Sequence, residues 1–181
     1  MWGRSGDDGV TFSSPNAIAI DSLDKVYVAE SGNSRVQKFN SDGEWLATFG
    51  ANGKGPGEFL SAMVVIVDAQ DRVYVSDWGN HRVQVFSPLG EFVQKFDRPG
   101  TGPGQFQVLT SIAFDSQGNF YVSEVANHRI QRFSPSGEFL GEVAPGTLSN
   151  PHGLAFDSTG AFYVADTGNR VVRKYRVVDA E

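Results

Sequence analysis

The sequence predicts an all-β chain made of four copies of one four-stranded unit. Three observations carry that prediction: a tetrad recurring at fixed spacing, short strand-like apolar runs around it, and turn residues between the runs. The tetrad reads Glu30-Ser31-Gly32-Asn33, Asp77-Trp78-Gly79-Asn80, Glu124-Val125-Ala126-Asn127 and Asp166-Thr167-Gly168-Asn169. The first three copies stand 47 positions apart, and the fourth follows after 42. The same offsets carry Asp21 to Asp68, Asp115 and Asp157, and Tyr27 to Tyr74, Tyr121 and Tyr163. Phe39, Phe86, Phe133 and Tyr175 form a further such series.

Each unit can be justified strand by strand. NAIAID, VVIVDA, SIAFDS and GLAFDS supply a first strand of small and aliphatic residues suited to burial. After the turns SLDK, AQDR, SQGN and STGA come KVYVAE, RVYVSD, NFYVSE and AFYVAD as the second strand. RVQKF, RVQVF, RIQRF and VVRKY form the third, and EWLATFG, EFVQKFD and EFLGEVA the fourth. The fourth strands follow NSDG, SPLG and SPSG, whose glycines reach positive φ at little steric cost. No segment holds a helical period over ten or more residues.

Four short antiparallel strands recurring at roughly 40–50 residues are the signature of a β-propeller blade. The expected organisation is a single module over 1–181, with repeats at approximately 12–58, 59–105, 106–150 and 151–181. A lone blade leaves apolar faces uncovered, so neighbours must stack on it. Tyr27, Phe39, Phe49 and their equivalents are the expected filling, each buried ring contributing roughly 1.5–3 kcal/mol.

Composition narrows the function classes. Fifteen basic residues against 21 acidic ones give a net charge of −6, a field that repels a phosphate backbone and disfavours nucleic acid as a partner. The basic run Arg170, Arg173, Lys174, Arg176 has Tyr175 as its single aromatic, too little for a base-stacking platform, and reads instead as protection of a strand edge. There is no cysteine, hence no disulfide framework or thiolate metal site. MWGRSGDDGVTF has no apolar core of the signal-peptide kind, and no apolar run nears the roughly 20 residues that cross a bilayer. The expectation is a soluble module without a membrane partner, its compartment undefined.

The elements P-x-x-[ILV]-A-[FI]-D, YV-[AS]-[DE], G-N-x-R-[VI]-Q-x-F and G-E-[FW] resemble the NHL-repeat family of β-propellers. Pro151 to Asn169 matches that pattern best, and it extends over nearly the whole chain. The resemblance implies a propeller of NHL-type blades, ordinarily six to a ring. Here there are four repeats, the last stopping after its third strand at Tyr175-Arg176-Val177-Val178, while Met1-Trp2-Gly3 aligns with Thr48-Phe49-Gly50. Three arrangements accommodate this: a fragment of a longer ring, a four-bladed ring with an incomplete last blade, or a half-ring completed by a second copy.

The polar residues sort into two groups. Glu30, Asn33 and Arg35, Asp77, Asn80 and Arg82, Glu124, Asn127 and Arg129, and Asp166 with Asn169 form a repeated turn lock. In it a carboxylate pairs with a guanidinium across the hairpin, and the Asn side chain closes the turn on its own backbone. In the fourth copy Val171 takes the arginine slot, so Asp166 needs another partner or none. Ser34, His81, His128 and Arg170 share one slot, a variability that suggests an exposed turn position.

The second group is the candidate binding surface. Asn16, Met63, Thr110 and His152 open the first strands, expected at one mouth of a central channel, and Trp78 stands in a turn where its counterparts are Ser31, Val125 and Thr167. Protein or a small ligand is the expected partner, a second copy of the chain another, and no cofactor is expected. The alternative is a metal-assisted lyase or hydrolase with zinc, magnesium or calcium at the channel mouth. The family resemblance implies it, because NHL-type lyases place metal-binding or catalytic residues near this rim, including histidine in a Pro-His-Gly context like Pro151-His152-Gly153. His152 is the one metal-ligand candidate among the four positions. The loops GANGKGPGEF and RPGTGPGQF lack P-loop spacing and read as crossovers between blades, stiffened by Pro56 and Pro103 and anchored by Phe59 and Phe106, with Phe12 as counterpart.

Overall fold

A computed structural model describes residues 11–176. The alignment of Met1-Trp2-Gly3 with a fourth strand, and the expected stop at Val177-Val178, lie outside the described residues. The chain divides into two compact units, residues 1–97 and 98–181, each holding two antiparallel sheets.

In the first unit β1 (Pro15–Ile20), β2 (Val26–Glu30), β3 (Arg35–Phe39) and β4 (Trp45–Phe49) pair in chain order. The crossover that follows carries a short parallel pair, β5 (Ala51–Asn52) with β6 (Glu58–Phe59). The second sheet comprises β7 (Ala62–Val67), β8 (Val73–Asp77), β9 (Arg82–Phe86) and β10 (Phe92–Phe96). In the second unit β11 (Leu109–Phe114), β12 (Phe120–Glu124), β13 (Arg129–Phe133) and β14 (Phe139–Glu142) form the third sheet. β15 (Pro151–Phe156), β16 (Ala161–Asp166) and β17 (Val171–Arg176) form a fourth, three-stranded among the described residues. Every sheet has the up-and-down order of a propeller blade. No helix among the described residues is long and apolar enough to cross a membrane.

The hairpin between first and second strands explains the recurring Asp and Tyr. Asp21 Oδ1 accepts the N–H groups of Leu23 and Lys25, and Oδ2 accepts the Tyr27 hydroxyl at 3.0 Å. Asp115 does the same for Gln117, Asn119 and the Tyr121 hydroxyl, and Asp157 for Thr159, Ala161 and Tyr163. A side chain that mimics a turn carbonyl in this way fixes the two-strand register locally. A cation lies over each ring as well: Lys38 over Tyr27, Arg72 over Tyr74, Arg132 over Tyr121 and Lys174 over Tyr163, at 4.9–5.7 Å.

Each unit fills the space between its own two sheets with aromatic and branched side chains. In the first, Tyr27, Ala29 and Val36 pack with Ala62, Val65, Val73, Val75 and Phe86, and Phe49 and Phe59 lie 5.0 and 5.6 Å from Phe86. In the second, Tyr121 meets Phe156 and Phe162, each at 5.0 Å, above Ile130 and Val164. Phe39, Phe86 and Phe133 are buried and serve packing, against Phe12, Phe59 and Phe106 respectively.

Hydrogen bonds at the hairpin turns also set an acid limit. The Thr159 hydroxyl and the Ala161 N–H hold Asp157 well below the ordinary carboxylate range against the opposing effect of burial, with Tyr163 adding to them. Asp71, which accepts from the Ser22 hydroxyl and N–H across the first two sheets, is lowered too. Because both values are depressed in the folded state, their contribution is complete above the unfolded value of 3.8 and is lost as pH falls below it. Thermal melts are therefore expected to show falling stability below about pH 4. Asp157→Asn should flatten that acid limb; an unchanged profile in the variant contradicts the assignment.

Candidate functional site

The site is built outward from a buried carboxylate at the end of each second strand. Glu30, Asp77, Glu124 and Asp166 are all fully buried. Each accepts from a guanidinium: Arg35 Nε at 2.8 Å, Arg82 Nε at 2.9 Å, Arg129 Nε at 2.9 Å and, in the last copy, Arg173 Nε at 2.5 Å. Each also accepts backbone N–H from the arriving crossover, from Ser13, from Leu60 and Ser61, from Gln107 and from Ser149 respectively. Arg173 answers the question left by Val171: it starts two residues further along the third strand, in the slot of Gln37, Gln84 and Gln131, and reaches back to Asp166.

Two expectations for this region change. The Asn side chains do not close the turn on its own backbone. Asn33, Asn80, Asn127 and Asn169 donate Nδ2 to the carboxylate instead, and the last three also to a crossover carbonyl, Gly53, Gly100 or Thr147. A buried carboxylate has lone pairs to fill, whereas the turn already closes through the N–H of the following residue. The shared slot of Ser34, His81, His128 and Arg170 is likewise not uniformly exposed. All four residues adopt left-handed φ of 52–59°. Ser34 is nonetheless buried, its hydroxyl donating to the Leu60 carbonyl at 3.4 Å under the first crossover.

The guanidinium is wrapped by the same loops. Arg82 donates to the carbonyls of Lys54, Gly55 and Glu58, and Arg129 to those of Thr101, Gly102 and Gln105. The glycine-rich crossovers thus cradle an internal arginine with their carbonyls.

Asn16, Met63, Thr110 and His152 each fall inside a register shift of the first strand, between Pro15 and Ala17, Ala62 and Val64, Leu109 and Ser111, and Pro151 and Leu154. A bulge frees its extra residue from the ladder and re-aims the side chain. Asn16 is exposed and donates to the Ser14 carbonyl and the Ser31 hydroxyl. Thr110 Oγ1 lies 3.0 Å from Ser123 Oγ and donates to the Pro151 carbonyl at 3.1 Å. Met63 is half-buried and His152 exposed, its carbonyl accepting from the Ser123 hydroxyl. Among the described residues no three His, Cys, Asp or Glu side chains are grouped as a metal ion requires. Trp78 is 44% exposed on a 3₁₀ turn (Trp78–Asn80) whose N–H is tied to the Ser61 carbonyl at 2.9 Å, with exposed Leu60 beside Gly79.

The second unit holds a feature that residue-type searching misses. A cleft of about 650 Å³ is lined by Thr101, Asn127, His128, Arg129, Glu142 and Ser149, with Ala126, Gly146 and Leu148. Its sequence signal is the offset of 42 in place of 47: the third repeat is five residues shorter than its predecessors, the loss falls in the crossover after β14, and Leu148 stands where they carry Phe59 and Phe106.

Antiparallel sheets of this order, joined blade to blade by carboxylate-anchored crossovers, define the class as a β-propeller repeat protein. A family model described as a 6-bladed beta-propeller matches residues 62–150, and the NHL repeat model matches 12–39 and 148–175. The chain carries NHL repeats on a β-propeller fold. Human NHL repeat-containing protein 3 is 38% identical over 52 residues, 27% of this chain but 15% of that protein. In structure the chain is similar to a catalytically inactive virginiamycin B lyase from Staphylococcus aureus with quinupristin (TM-score 0.69, 15% identity, 91% of this chain, 56% of that one). It is also similar to a chain of the nidogen/laminin complex (TM-score 0.72, 18% identity, 92% of this chain, 62% of that one). The chain thus spans between about half and two thirds of these structures, and the likeness shows the fold alone.

The lock makes a direct prediction. Arg82→Ala strands a buried Asp77 and should cost about 3–5 kcal/mol, lowering the melting temperature by roughly 2–4 °C for each kcal/mol. Arg82→Lys should recover only part of it, because an ammonium cannot fork across Lys54, Gly55 and Glu58. A melting curve unmoved by Arg82→Ala overturns the lock.

Proposed function

We propose that the chain is a binding platform without chemistry of its own, recognising a protein or small ligand on the sheet edges that carry the bulged first strands and the second turns. Trp78 carries this reading. It is a large aromatic held in water by a turn whose backbone is fixed, in a slot where the other repeats have Ser31, Val125 and Thr167. Such a side chain loses little entropy on binding and suits an anchor role. The buried carboxylates and guanidinia, which look catalytic in isolation, are occupied by the crossovers. The bulge positions Asn16, Met63, Thr110 and His152 share no chemistry, as suits positions that vary with a ligand. The fold does not choose between functions, since it is shared with a lyase and with a protein in a laminin complex. A metal-assisted lyase or hydrolase would require ligands for His152 from beyond this set of residues.

A second copy of the chain is a further proposed partner, supported in the first unit by Ile18 and Ile20, 67% and 60% exposed on β1. Light scattering during size exclusion at micromolar concentration should return twice the chain mass; a strict monomer removes this partner.

For the platform itself, peptide and small-ligand libraries are screened against the wild-type chain, and each binder is retested on Trp78→Ser. Losing an anchor costs about 2 kcal/mol or more, roughly thirtyfold in affinity, with the melting temperature unchanged. Equal binding by the variant defeats the Trp78 assignment. Zinc-dependent turnover on an ester and lactone panel would replace the platform with the lyase reading.

A further inference from the structure

We propose that the cleft of the second unit binds a small ligand through a cationic head, an ammonium or guanidinium group, with Glu142 as its counter-charge. The cleft arises from the shortened crossover, and it leaves one charged atom unspent. Arg129 has five N–H donors, and all are committed: Nε to Glu124, Nη1 to the Thr101 carbonyl and Glu142, Nη2 to the Gly102 and Gln105 carbonyls. It has nothing left to offer an anion.

Glu142 is in the opposite position. Its Oε1 accepts from Arg129 Nη1 at 3.1 Å, while Oε2 receives no hydrogen bond from any described residue. Two carboxylates, Glu124 and Glu142, flank one guanidinium here, so the local balance is negative. A carboxylate at this slot is peculiar to the third repeat; the equivalents are Thr48 and Lys95, and Lys95 pairs with Asp97. The fold therefore does not need Glu142, since the Arg82 lock forms with Lys95 in the same place.

His128 borders the site in a defined state. Its Nδ1 accepts the Asn150 N–H at 3.1 Å, so the neutral ring carries its proton on Nε2. The ring is exposed and lines the cleft, which makes it a reporter of occupancy. This inference stands apart from the Trp78 surface, which lies in the other unit.

The test is titration of the whole chain with butylguanidine (guanidinium), butylamine (ammonium) and acetate, followed by the imidazole resonances of His128 and by calorimetry. One or both cations should shift His128 and release heat, and acetate should do neither. Glu142→Gln keeps the shape and removes the charge; it should weaken cation binding about tenfold or more, as expected for one charge-assisted hydrogen bond. Restoring the 47-residue spacing by inserting Gly-Thr-Gly-Pro-Gly after Ala144 should also abolish binding while leaving the Trp78 surface intact. Cations that leave His128 unmoved, a preference for acetate, or wild-type affinity in Glu142→Gln each overturn the proposal.

Discussion

The buried carboxylate at the end of the second strand is the contact on which the rest of each repeat depends. In the second copy, Asp77 takes two backbone N–H groups from the crossover, Nδ2 of Asn80 from the turn and Nε of Arg82 from the third strand. Turn, crossover and third strand are thereby referred to one functional group. A buried ion pair adds little net stability over an apolar replacement, so the value of this one lies in placement. It specifies where an otherwise irregular loop must land. The following first strand then begins at a defined point, and its bulge falls at the same place in every repeat.

That arrangement separates what must be constant from what can vary. In the first three repeats the carboxylate, the guanidinium and the third-strand glutamine are buried and serve the backbone. The bulge residues and the slot preceding the third strand sit beside them, free of ladder hydrogen bonds or in left-handed conformation. Asn, Met, Thr and His at the first of these positions therefore change the surface without changing the register. A scaffold so built can change what it binds by substitution at a few edge positions.

The repeat was legible in the sequence because it is a property of spacing: Tyr27, Tyr74, Tyr121 and Tyr163 align whatever their neighbours do. Strand boundaries followed from the same columns. Side-chain partners were harder, since a column shows which residues correspond and not how far each can reach. The columns do not show Arg173 as the partner of Asp166, because it substitutes from a different position on the strand, a swap that a long flexible side chain permits. Nor do they show the Asn bonds, because the carboxylate is a neighbour of Asn Nδ2 in the folded turn and keeps lone pairs to fill after the turn backbone has closed. A slot that tolerates His and Arg suggests exposure, yet the cover of Ser34 comes from Leu60, 26 residues along the chain and outside any local window.

Crossover length is consequently as informative as residue identity in this chain. The crossovers over Arg82 and Arg129 have the same length and close on the guanidinium through carbonyls at matching positions. The crossover after β14 must only reach Asp166, whose partner Arg173 requires just the Thr147 carbonyl, so five residues of cover can be dispensed with. The loss of the arginine at Val171 and the shortening of the loop are then two sides of one change: Arg173 approaches from another slot and takes one crossover carbonyl where Arg82 and Arg129 each take three, so the longer loop has no structural purpose. What remains open beside it is the flank of the preceding repeat, where Arg129 is still fully satisfied and Glu142 is not. A deletion that relaxes one lock thus exposes the neighbouring one, and the polar group left over belongs to the only repeat that placed a carboxylate there.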